Sequence, residues 1–161
     1  MLVHPLDLQT SPDKGGANLL VEFTYADLTS GTNAQTLTPF TLPANWGIEV
    51  VHMELPAAFV SSDGTLISTS ISAGDAGSAT RLLAATELNQ AGTEVFAKGG
   101  ATTAPYVPTA DTAQTITVTG TAAKVLSTHT AGRCRVFYRL TNPFTALNDP
   151  VPFNIASVAA Q

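Results

Sequence analysis

The chain has 161 residues, one domain's worth, and only 12% of them are charged against roughly 25% in an ordinary soluble domain. Seven Lys and Arg within a net charge of −5 and a pI near 4.9 exclude a phosphate-binding surface, and with it nucleic acid as a partner. A single cysteine, Cys134, excludes an internal disulfide and a cysteine-based metal cluster, so stability must come from packing or association.

The opening MLVHPLDLQTSPDKGG has no basic n-region and no apolar h-region, and nowhere do about 18 apolar residues run together. Neither a secretory precursor nor a membrane protein is expected. Residues 1–18 carry Pro5, Pro12, Gly15 and Gly16 without periodicity and are expected to form an irregular N-terminal arm. In residues 19–25, LLVEFTY, the residues Leu19, Val21, Phe23 and Tyr25 alternate against Leu20, Glu22 and Thr24, the pattern of a half-buried strand. Residues 36–42 form a second candidate strand, whose Pro39 removes a ladder donor and points to an edge or a bulge.

After Pro43, Asn45 and Gly47, residues 48–55 (IEVVHMEL) are apolar on both faces, as expected of a central strand, and Pro56 is expected to end it. Residues 65–71 read as a Ser/Thr/Ile strand behind the Asp63-Gly64 turn, and residues 72–77 as a loop. Residues 78–89, SATRLLAATELN, set Leu82, Leu83 and Leu88 among good helix formers with Ser78 as N-cap, which predicts one short helix. Residues 92–112 hold Gly99, Gly100, Pro105 and Pro108 and read as loop, with a short strand around 93–96. Residues 114–119 and 124–127 are further strands. The clearest is 133–140, where Cys134, Val136, Tyr138 and Leu140 share one face and Arg133, Arg135, Phe137 and Arg139 the other.

Seven or eight short strands punctuated by turns predict an all-β fold: an antiparallel β-sandwich, jelly-roll or immunoglobulin-like, with one short helix and extended N- and C-terminal arms. A closed barrel is the structural alternative. The organisation expected is an arm over 1–18, a sandwich over 19–142 and a tail over 143–161.

Little in the chain points to catalysis. His4, His52 and His129 lie at no spacing that would juxtapose them around a metal, and a nucleophile-elbow serine between glycines is absent. The loop SAGDAGSA has Gly74, Asp75 and Gly77 but no P-loop lysine, and Asp75 would repel phosphate. Asp75 suits an Asx-turn or the N-terminus of the helix instead. No catalytic residue, metal or cofactor is assigned.

The arginine row carries more information. Arg133, Arg135 and Arg139 are three of four arginines and lie on one strand face, where like charges repel unless an acidic group meets them. The row either lies in water or forks onto Asp or Glu of a neighbouring subunit. The C-terminal tail holds Phe144, Leu147, Val151, Phe153, Ile155 and Val158, more apolar surface than a free tail should leave in water, and is expected to lie across its own domain or a neighbour's.

The order of these features resembles small virion structural proteins of tailed bacteriophages. The residues that carry the resemblance are VEFTYADLTSGTNAQTLTPFTLPANWGIEVVHMEL, SISAGDAGSATRLLAATELNQAGTEV and TADTAQTITVTGTAAKVLSTHTAGRCRVFYRLTN, within residues 21–142. The resemblance implies no enzyme and no cofactor. It implies a capsid decoration or cement protein that binds the major capsid protein on the outer surface of the virion, as a homotrimer at local three-fold positions. Head-fibre, neck and tail proteins share the look. From another class, a carbohydrate-binding or adhesin-like sandwich would need exposed aromatic platforms, and Trp46 is the only tryptophan.

Overall fold

A strand with alternating apolar residues has to bury one face, and two such sheets stacked face to face satisfy each other. The computed structural model describes residues 1–6, 16–66, 68–89, 94–95, 105–121 and 123–142. Among these, nine strands make two antiparallel sheets: β1 (Leu2–Pro5), β2 (Leu19–Thr24), β3 (Ala34–Leu42), β4 (Gly47–Ser61), β5 (Thr69–Asp75), β6 (Ser78–Glu87), β7 (Glu94–Val95), β8 (Thr112–Gly120) and β9 (His129–Thr141). One sheet has the order β1-β2-β9-β4-β7 and the other β3-β8-β5-β6. The all-β antiparallel sandwich is therefore the fold.

The pairing is nested. Strand β2 pairs with β9, β3 with β8, β4 with β7 and β5 with β6, as though one long hairpin had been rolled into two layers. The core lies between the layers. Val21 and Phe23 of β2, Ile48, Val50 and Met53 of β4, and Val136 and Tyr138 of β9 meet Ile71 of β5 and Ile116 and Val118 of β8, all almost fully buried. Burial pushes the Cys134 thiol and the Tyr138 phenol far above their usual values, so both stay neutral.

Several expectations need correction. Residues 78–89 do not form a helix, because Ser78–Glu87 is the edge strand β6, paired to β5. Ala, Leu and Glu favour helix only weakly, and the ladder offered by β5 overrides that preference. The expected loop at 72–77 is mostly strand, with Asp75 and Ser78 paired across a two-residue turn. Strand β5 begins at Thr69, later than the expected 65. Strand β4 does not stop at Pro56 but runs on to Ser61, because register shifts between Glu54 and Ala57 place the exposed proline in a bulge that needs no ladder donor. Residues 126–128 form a 3-10 turn in place of a strand.

The termini of the sandwich also differ from the reading of the sequence. Leu2–Pro5, expected in an irregular arm, is an edge strand on β2. His129 opens β9 and is buried. Its Nδ1–H donates to the Leu126 carbonyl at 2.7 Å, and Nε2 meets the Thr69 hydroxyl at 3.0 Å, tying the two sheets together.

Two glycines are demanded by close approach. At Gly74 a Cβ would lie 2.0 Å from the Ser78 carbonyl oxygen, and at Gly132, with φ of +138°, it would lie 2.5 Å from the Phe59 ring. The first lets β6 bulge over β5. The second seats Phe59 against β9.

Candidate interaction face

Alternation along β9 puts Arg133, Arg135, Phe137 and Arg139 on the outer face of the five-stranded sheet, and its two neighbours supply the acids. Glu22 of β2 and Glu54 of β4 both sit opposite Arg135, forming a row across three strands. Arg135 donates from Nε to Glu22 at 2.7 Å and lies 3.7 Å from Glu54. Arg139, opposite Glu49, pairs with it through Nε at 2.5 Å. Arg133 reaches Glu22 only at 3.9 Å. The hydrogen bond to Glu22, with the nearby charge of Glu54, outweighs desolvation and raises the Arg135 pKa, so it stays charged.

The acidic groups facing the row thus belong to the same chain. Sequence reasoning located the arginines and missed the glutamates. Glu49 and Glu54 are five residues apart, an odd spacing that would put them on opposite faces of a regular strand. Between Val50 and His52 the register shifts by one residue, and the extra residue, Val51, returns both glutamates to the outer side. The signal available was the cross-strand demand itself, since three arginines on one face require acids on the flanking strands.

Exposure divides the row. The Arg133 and Arg139 side chains are 50% and 44% exposed, whereas Glu22 and Glu54 are 16% and 15%. The centre of the face is apolar and closed to water. Phe137 and His52 pack with ring centroids 5.4 Å apart and planes tilted by 48°, and both are buried although they point away from the core. The tail residues expected to bind a partner, Phe144, Leu147, Val151, Phe153 and Ile155, lie outside the described residues.

A second polar cluster sits at one end of the sandwich. Asp75, 4% exposed, accepts from the backbone N–H groups of Gly77 at 2.8 Å and Ser78 at 2.9 Å and from Arg81 Nε at 2.7 Å, while the Arg81 guanidinium lies 4.3 Å from the centre of the Tyr106 ring. Burial opposes ionisation of Asp75, but the bonds from Arg81, Ser78 and Gly77 outweigh it and hold the carboxyl below its usual range. The Asx-turn expectation for Asp75 holds, with a β-turn following it in place of a helix. This cluster is built to hold a turn, and its carboxylate is fully engaged. Trp46 is partly buried and packs against the core. Among the described residues no group of three His, Cys, Asp or Glu could hold a metal ion.

These features define a class: a two-layer antiparallel β-sandwich whose most elaborated surface is a charge-paired sheet face. No protein-family model matches the chain, and no curated protein does. Among solved structures it is similar to a chain in the capsid asymmetric unit of cyanophage Pam1, at 23% identity and a TM-score of 0.50, over 77% of this chain and 81% of that one. At that identity the likeness is one of fold.

Proposed function

We propose that this chain is a virion structural protein with the jelly-roll form of the sandwich, serving as a decoration or cement protein that binds the major capsid protein on the outer surface of the shell. The observation that carries the proposal is the nested pairing of β2 with β9, β3 with β8, β4 with β7 and β5 with β6. That order supports reading the sandwich as a double Greek key jelly roll, a form common in viral capsid domains, as does a fold likeness that spans most of both chains.

Mechanically, such a protein acts through many neutral contacts whose small free energies add across a repeated shell. The half-exposed Arg133 and Arg139, though paired within the sheet to Glu22 and Glu49, would turn their outward N–H groups toward acidic groups of a neighbour while Arg135 holds the sheet together. Phe144, Leu147, Val151, Phe153 and Ile155 would supply the apolar anchor, and the homotrimeric state is proposed on the resemblance alone. The test is to image purified particles and count copies. Several hundred copies over the shell support decoration, a dozen or fewer assign the chain to neck, fibre or tail, and absence from the particle overturns the virion role.

A further inference from the structure

The two outer faces of the sandwich differ in charge. On the five-stranded sheet the face carries three arginines and three glutamates and is already closed at its centre. On the four-stranded sheet, alternation turns Ile116 and Val118 inward and Thr115, Thr117 and Thr119 outward, beside Ser70 and Ser72 of β5 and Thr36 of β3. Among the described residues this outer face is uncharged until Glu87, at the β6 corner.

We propose that this neutral face is where a second copy of the chain docks, the two like faces stacking about a two-fold axis, a contact separate from any three-fold one. Three observations point to a copy of itself. First, a face without charge does not repel its own image, whereas the arginine-bearing face would have to be set in register to avoid like-charge contacts. Second, three of the face's hydroxyls have partners within the sheet: Thr36 and Thr117 lie 3.4 Å apart across β3 and β8, and Ser70 donates to the Thr119 carbonyl at 3.4 Å. Removing water from them strands few donors. Third, four strands about 4.8 Å apart, at about 3.3 Å per residue, give a footprint near 500 Å² per copy, so a pair buries roughly the 1,000 Å² that a specific interface requires. Identical twisted sheets stack at about −30° without a gap.

Growth through the edges of the same sheet is blocked. The β3 ladder is broken between Leu37 and Phe40 around Pro39, and β6 is bulged twice against β5.

The inference stands independently of the virion role: a chain that pairs through this face yet is absent from particles fails the virion role alone. Cys134 is fully buried and is the chain's only cysteine, so Thr117→Cys introduces the only accessible thiol. Mild oxidation of purified Thr117→Cys is expected to give a species of twice the chain mass on a non-reducing gel. Arg133→Cys, on the opposite face, is expected to stay single. In sedimentation equilibrium, Thr36→Lys with Thr117→Lys is expected to weaken self-association at least ten-fold while the circular dichroism spectrum is unchanged. A Thr117→Cys protein that stays monomeric on oxidation, or one that cross-links no better than Arg133→Cys, overturns the proposal. So does a double lysine variant that associates as the wild type does.

Discussion

Arg135 and Arg133 are two residues apart on one strand and have different consequences. Arg135 sits between two largely covered glutamates, so Arg135→Ala takes the guanidinium away from Glu54 and leaves Glu22 only the long pair to Arg133. Because the guanidinium is itself about a third exposed, solvent moderates the loss, and the expected destabilisation is about 1 kcal/mol by urea denaturation. Arg133→Ala, removing a long and exposed pair, is expected to shift the same curve by less than about 0.5 kcal/mol. Equal effects from the two would show that the row is not held together at Arg135. The glycines are less forgiving. Gly132→Ala would force a Cβ into the Phe59 ring at a backbone angle that side chains avoid, and is expected to lose more than about 2 kcal/mol.

At the scale of elements, the β5–β6 hairpin depends on one carboxylate. Asp75 is held ionised by Arg81 and two backbone N–H groups, so its native pKa lies below the unfolded one. A depressed carboxyl contributes stability that is present above the unfolded value of about 3.9 and is lost as pH falls through the lower native value. Asp75→Asn is therefore expected to be less stable than wild type at pH 7, with the gap closing as pH drops below about 4. Thermal unfolding across pH 7 to 2 measures this, and a gap that does not change with pH would refute it. The same hairpin explains why a helix was expected over 78–89. Its residues carry no strand alternation because β6 is bulged, and the Asp75 turn and the Gly74 approach that allow the bulge depend on contacts with β5.

For the whole molecule, scarce charge sets how association responds to solvent. Pairing through a neutral Ser/Thr face releases few counterions and screens no attraction, so the association constant measured by sedimentation is expected to change less than about three-fold between 0.05 and 0.5 M NaCl. Attachment to a shell through Arg133 and Arg139 would instead weaken as salt rises. Washing particles at both salt concentrations and counting retained copies separates the two surfaces.

From its sequence the protein is legible as a charge-poor, all-β sandwich with a row of arginines on one strand face, because alternation and composition are local properties that survive without knowledge of neighbours. The strand over 133–140 and the inward set Cys134, Val136, Tyr138 and Leu140 follow from that alone. What surrounds the row required the tertiary structure. One extra residue at Val51 decides which side Glu49 and Glu54 face, a two-residue turn at Asp75 decides that 78–87 pair as a strand, and a bulge at Pro56 lets β4 continue. Each is an event of one or two residues whose energy is set by the strand alongside, and the sequence does not say which strand that is.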